Sequence, residues 1–227
     1  MRFTSMMTAA PRRRPWYEKR GRRPVPAEAH ELWYKRVMDM LVALALLPIV
    51  LPILAVCALA IRLDTPGPIF FLQERTGQGG RRFRMFKLRT MVENAHELKE
   101  QFQYLNTLKA PDFKIVDDPR ITRVGKILRK TSLDELPQIL NVLRGDMSLV
   151  GPRPTSFSST TYSAWHTARL EAKSGLTGLW QVSGRSDLEF DERVRLDIAY
   201  QRCQCFWLDI EILARTVGAV LTRRGAS

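Results

Sequence analysis

Residues 121–154 read ITRVGKILRKTSLDELPQILNVLRGDMSLVGPRP and bring Arg129, Lys130, Asp134, Glu135, Asp146 and Arg153 close together in the chain. Two adjacent acids beside strong cations permit phosphoryl chemistry. Neighbouring positions on a helix point about 100° apart, so the two carboxylates do different jobs: one can attack while the other holds a metal. A carboxylate attacking a pyrophosphate meets charge repulsion, which magnesium and guanidinium groups must screen. Arg129, Lys130 and Arg153 supply that charge near one helix start, and a helix start itself favours phosphate. The same residues also have a purely structural reading. Ser132-Leu133-Asp134-Glu135 fits a capping box, and acids are favoured in a first helical turn. Pro137 weakens that version, since its missing donor fits better if the helix starts one or two residues later. Spacing alone leaves both readings open.

The formal net charge of +13 and the pI of about 10.2 imply an anionic partner. Nucleic acid, an anionic membrane leaflet and a phosphorylated substrate all qualify. A nucleic-acid role is disfavoured, because the arginines from 120 to 185 are interleaved with Gly/Pro turns and carboxylates. They form neither one basic helix face nor an aromatic stacking platform. An apolar content of 45% excludes a disordered chain and suits one domain with a core. Cys57, Cys203 and Cys205 match no zinc or redox spacing and read as reduced packing residues. Residues 1–30 are rich in Arg and Pro and lack a signal-peptide pattern. They are expected to be a disordered tail, either solvated or drawn to anionic lipid.

These residues need a positioning frame, and its most distinctive part is Met40–Ile61, 22 residues without a charge. A straight helix of that length just spans a bilayer core of about 30 Å. Pro48 and Pro52 fall on one helix face, each removes a backbone donor, and a break is expected there. Both flanks are basic: Lys35 and Arg36 before, Arg62, Arg75, Arg81, Arg82 and Arg84 after. A crossing helix cannot keep both flanks inside, whereas a re-entrant hairpin turning at the prolines can. After it come a β-prone run at Ile69–Leu72 and the alternating RRFRMFKLRTM, a strand or surface segment. A polar helix over 92–109, a short amphipathic ITRVGKILRK and a helix ending at Gly145 follow. SGLTGLWQVSGRSDL reads as a glycine-punctuated loop, with helices expected over 162–172 and 188–203. The last element, 207–222, aligns Ile210, Leu213, Ala214, Val217 and Leu221 in one stripe, either a core face or an interfacial one.

Five segments together are highly specific. KRVMDMLVALALLPIVLPILA, PGPIFFLQERTG, FKLRTM, SLDELPQILNVLRGDMSLVGPRP and SGLTGLWQVSGR, in this order, resemble the bacterial sugar transferase family of monotopic phosphoglycosyl transferases. The resemblance runs from about Lys35 to the C-terminus. GLWQVSGR and WLDIEILARTVGAVLTRRGA look most like members that start exopolysaccharide or O-antigen repeat units with a hexose.

The resemblance implies transfer of a sugar-1-phosphate from a UDP-sugar to undecaprenyl phosphate, releasing UMP, at the cytoplasmic face of the bacterial inner membrane. A glucose or galactose donor is expected, with an N-acetylated or amino sugar as the alternative. It implies Asp134 as nucleophile, Glu135 as the Mg2+-binding acid and Arg129 as a phosphate ligand. Arg153, Lys87, Gln181 and Arg185 are carried over for substrate binding. Pro52 matches the family's bend, although Leu51 stands where a serine is common and Pro48 is additional. Longer members have a further N-terminal membrane region, so the short form is expected. The fold implied is α+β and mostly helical: a basic tail (1–34), a re-entrant membrane helix (35–64) and a small cytosolic-face catalytic domain (65–227) with interfacial amphipathic helices. Anionic lipid is an expected partner and a homo-oligomer is left open. A membrane-anchored nucleic-acid-binding protein or a non-catalytic scaffold is the rival from another class.

Overall fold

The apolar run forms the middle of α1 (Trp33–Asp64), 32 residues long with Pro48 and Pro52 inside it. A computed structural model describes residues 16–19, 33–95, 97–107, 115–158, 161–184 and 188–221. The helix continues through both prolines, so the expected break is not an interruption of the helix. Each proline removes one backbone bond, and the bonds on either side carry the helix on. By length and composition α1 is able to cross a membrane. One stripe, including Met38, Ala43, Val50, Leu54 and Ile61, is buried against the rest of the chain, while Leu41, Ile49, Val56 and Leu63 are exposed.

Both ends of α1 fasten to the same body. Near its start, Arg36 donates to the carbonyls of Val142 at 2.7 Å and Leu143 at 2.8 Å. Asp39 accepts from Ser148 Oγ at 3.0 Å and from the Leu149 amide at 2.9 Å. At its other end Asp64 accepts from the Val124 amide at 3.1 Å. That amide opens α3 (Arg123–Thr131), so Asp64 supplies an acid where the helix dipole favours one.

Between α1 and α3 lies an antiparallel hairpin, β1 (Phe70–Thr76) and β2 (Arg82–Leu88), registered from Phe70↔Leu88 to Thr76↔Arg82. The polar helix expected over 92–109 is reduced to α2 (Leu98–Gln101) and a 3-10 turn, Gln103–Leu105. Its flanking backbone pairs elsewhere: Val92 donates to the Arg120 carbonyl at 2.9 Å, and Asn106 bridges to Ile115. After α3 come a 3-10 turn, Leu133–Gln138, and α4 (Ile139–Arg144), which ends at Gly145 as expected.

β3 (Ser148–Val150) pairs in parallel with β4 (Gly175–Thr177), across a 3-10 segment, Ala164–Glu171. Then follow α5 (Leu179–Ser183), α6 (Phe190–Cys203) and α7 (Phe206–Leu221). The SGLTGLW stretch is thus a strand and a helix start, not a loop. Its glycine serves close approach: a Cβ on Gly175 would lie 2.1 Å from the Gly151 nitrogen. The core gathers Met85, Leu88, Val142, Met147, Val150, Leu179, Leu208 and Ile212. The chain is a mostly helical α+β fold.

α7 turns its Leu208, Asp209 and Ile212 inward, while Ile210 and Val217 of the aligned stripe are exposed. Leu213 of that stripe packs against the core, so the stripe is not a continuous core face. Asp209 decides the rotation, accepting from Lys35 Nζ at 2.8 Å and from the Tyr200 hydroxyl at 2.7 Å. Among the described residues no cysteine forms a disulfide, and Cys57 is buried. Most of the basic tail lies outside the described residues. Trp16–Lys19 forms a 3-10 turn, with Arg215 3.8 Å above the Trp16 ring.

Candidate active site

Asp134 and Glu135 stand on the 3-10 turn between α3 and α4. Ser132 separates the two helical pieces in a left-handed conformation, φ 57°, and makes no side-chain cap bond. The capping-box reading fails for that reason. A left-handed Ser132 does not present its hydroxyl to the turn, and Glu135 reaches toward cations instead. Pro137 sits inside the turn, and α4 proper begins only at Ile139.

Three elements converge on the acids. β2 brings Lys87, whose Nζ lies 3.2 Å from Glu135 Oε1 and 3.9 Å from Asp134 Oδ2. The turn after β3 brings Arg153, which grips both Glu135 oxygens, one at 3.0 Å. α3 brings Arg129, whose Nε donates to Thr90 Oγ1 at 2.9 Å. The close seat of α3 requires Gly125, where a Cβ would lie 2.1 Å from the Thr90 carbonyl oxygen.

The two acids differ in state because they differ in company. Burial raises the Asp134 carboxyl above its ordinary value, and Lys87 opposes this only in part. Burial acts on Glu135 too, but Arg153 and Lys87 overcome it and hold Glu135 well below the usual carboxylate range. Burial lowers Lys87, with Glu135 pulling the other way. It also lowers Arg129, against the pull of Asp134.

The frame depends on a residue absent from the sequence-based set. Asn141, fully buried on α4, donates to the Arg84 carbonyl at 2.8 Å and accepts from the Phe86 amide at 3.0 Å. It completes the β2 edge as a neighbouring strand would, and so registers Lys87 against the acids. Its signal in the sequence was a lone amide inside ILNVL. Gln181 donates to its neighbour, the Leu176 carbonyl, at 3.5 Å. It sits on α5, which packs on α6 and α7. Arg185 lies outside the described residues. Lys130 is exposed on α3 and Asp146 pairs with Arg144 at 3.8 Å, so neither joins the cluster around Glu135.

Among the described residues no group of three or more His, Cys, Asp or Glu forms a ready metal cage. The donor set still suits Mg2+, which commonly binds one or two carboxylates and completes its shell with water and substrate phosphate. Glu135 would hold it, sharing its oxygens with Arg153 and Lys87 or displacing one of them.

The family model described as bacterial sugar transferase matches residues 30–223. The chain belongs to the bacterial sugar transferase family. Its relatives in this family include a UDP-galactose-lipid carrier transferase of Erwinia amylovora, 44% identical over 197 residues, covering 85% of this chain and 41% of that protein. An undecaprenyl-phosphate galactose phosphotransferase of Salmonella typhimurium is 43% identical over 205 residues, 88% of this chain and 43% of that protein. A UDP-glucose:undecaprenyl-phosphate glucose-1-phosphate transferase of Caulobacter vibrioides is 44% identical over 214 residues, 89% and 75%. This bacterial sugar transferase thus spans less than half the length of the first two. The matched region holds the acid pair, Lys87, Arg129 and Arg153.

Proposed function

We propose that this chain transfers a sugar-1-phosphate from a UDP-sugar to undecaprenyl phosphate, giving undecaprenyl-diphosphate-sugar and UMP. The observation that carries this is a buried Asp134 next to a Glu135 already neutralised by Arg153 and Lys87. Such a site leaves one acid for attack and surrounds it with phosphate-seeking cations. Asp134 attacks the sugar-bearing phosphorus, the bond to the bridging oxygen breaks, and UMP leaves with that oxygen. An oxygen of undecaprenyl phosphate then attacks the same phosphorus, and the carboxylate of Asp134 is released. Once ionised, a carboxylate needs no separate base for this. Lys87, Arg129 and Arg153 hold and neutralise phosphate oxygens. Mg2+, when bound at Glu135, adds charge neutralisation at the phosphates.

The donor is a UDP-hexose, glucose or galactose, the sugars in the relatives' names. The alternative is an N-acetylated sugar, as named for an Aeromonas hydrophila relative 38% identical over 199 residues. The product serves exopolysaccharide, capsule or O-antigen synthesis. Two relatives are exopolysaccharide production proteins, from Sinorhizobium fredii and Rhizobium meliloti.

We propose that α1 enters the cytoplasmic leaflet of the inner membrane, bends at Pro48 and Pro52 without losing its helical course, and returns. Support comes from its ends, both bonded to one body through Arg36, Asp39 and Asp64. α7 lies at the interface, with Trp207 63% and Val217 61% exposed, beside anionic lipid. The deciding experiment supplies UDP-glucose or UDP-galactose and Mg2+ without lipid. UMP should appear in a burst of about one per site, with sugar-phosphate retained on the protein. Asp134→Asn should abolish both. UMP release that strictly requires the lipid, with no adduct, would favour direct attack by undecaprenyl phosphate.

A further inference from the structure

Arg75 lies on β1 and belongs to none of the ion pairs around the acids. We infer that Arg75 is a further phosphate-binding residue of this site, holding a phosphate other than by the Glu135-bound cations. This rests on the phosphotransfer reading above.

The hairpin register sets its position. Arg75 is opposite Phe83 and Phe71 is opposite Lys87, so Arg75, Gln73 and Lys87 share one face of the hairpin. That face is turned inward, since Met85 between them is 2% exposed. The next residue, Thr76, donates from its amide to the Thr155 carbonyl at 2.9 Å. β1 therefore ends against the turn that carries Arg153.

Its partners are then informative. Nε and one terminal nitrogen of Arg75 donate to Gln73 Oε1, at 3.1 and 2.6 Å. The bond fixes the plane of the guanidinium without cancelling its charge. Among the described residues Arg75 has no carboxylate partner, whereas Arg153 has Glu135, Arg120 has Asp118 and Arg169 has Asp197. Arg75 is half-buried, and cations drawn out of water are ordinarily paired. Burial, and then the like charge of Arg153, bring Arg75 down to about 10. Against Asp134 and Glu135 stand Lys87, Arg129, Arg153 and Arg75, four cations to two acids, a surplus of two. A fork-shaped, oriented and uncompensated guanidinium suits a phosphate oxyanion.

That phosphate has two sources in the reaction, the departing nucleotide and the polyprenyl phosphate, and the two half-reactions separate them. In Arg75→Gln, a tenfold or greater slowing of the UMP burst assigns Arg75 to the nucleotide. A normal burst with a tenfold slower discharge of the trapped adduct onto undecaprenyl phosphate assigns it to the lipid phosphate. Arg75→Ala should regain rate on addition of guanidinium ion at concentrations below those that shift its melting temperature, a rescue that a merely structural role would not show. Both half-reactions within twofold of the parent would overturn the assignment. Should the parent itself give no burst, affinity for UDP and for inorganic phosphate is compared between the parent and Arg75→Gln. Equal affinity for both would then overturn the assignment independently of the reaction.

Discussion

Arg153 grips both oxygens of Glu135 from 18 residues away in the chain, and so neutralises one of two adjacent acids. Among the described residues Asp134 keeps a longer ion contact, 3.9 Å, to Lys87. The order of the acids in the chain does not set this difference; the folded positions of β2 and the turn after β3 do.

The pair should therefore titrate apart. In the proposed reaction the UMP burst needs ionised Asp134, so its rate should fall on acidification at a pH above the ordinary aspartate value of about 3.9. Glu135 works through stability. Its folded value is depressed, so its contribution is present above about pH 4.3 and is lost as pH falls through the folded value. Glu135→Gln should then cost more stability at pH 7 than at pH 3, measured by thermal unfolding in detergent. Asp134 has the opposite sign: raised when folded, its contribution is full below about pH 3.9 and lost as pH rises through its folded value. Asp134→Asn should leave stability at pH 7 equal or higher while abolishing the burst.

Asn141 offers a test of how Lys87 is registered. Asn141→Ala strands the Phe86 amide and the Arg84 carbonyl, two buried groups costing about 1–3 kcal/mol each when unsatisfied. A melting temperature lowered by several degrees and a slower burst are expected together. Unchanged turnover in a destabilised variant would separate Asn141 from the site.

Lys35, Tyr200 and Asp209 make a buried network that ties α1 to α6 and α7. Lys35→Met leaves Asp209 buried without its cation and should cost about 3–5 kcal/mol. Adding Asp209→Leu should recover much of that loss, because the uncompensated charge is gone. Chemical denaturation of the single and double variants gives the coupling directly.

Topology is open to labelling. Arg22→Cys and Arg81→Cys are made singly in a background lacking Cys57, Cys203 and Cys205. Both should resist an impermeant thiol reagent in intact cells and react after lysis. Labelling of one alone in intact cells would mean that α1 crosses. Replacing Pro48 and Pro52 by Ala should favour crossing, since proline disfavours a helix interior by about 3 kcal/mol.

Local pattern was enough for several features. Uncharged length marked α1, alternation marked β2, and Gly145 marked the end of α4, because each depends on neighbours in the chain. The clustering of Asp134, Glu135, Arg129 and Arg153 in one stretch made phosphate chemistry legible. Its roles were not: Ser132-x-x-Glu135 reads equally well as a cap until φ at Ser132 is known. Long-range pairing decided the rest. The β3–β4 ladder forms through glycines that a sequence reader takes for loops, because only the fold shows what approaches them. The expected helix over 92–109 gave way where its backbone found partners at Arg120 and Ile115. α7 buries Asp209 and exposes Val217 because Lys35, 174 residues away, compensates the acid. Composition pointed to an anionic partner and the uncharged run to a membrane; tertiary structure decided which carboxylate Arg153 and Lys87 neutralise, since burial and paired charge exist only once distant elements meet.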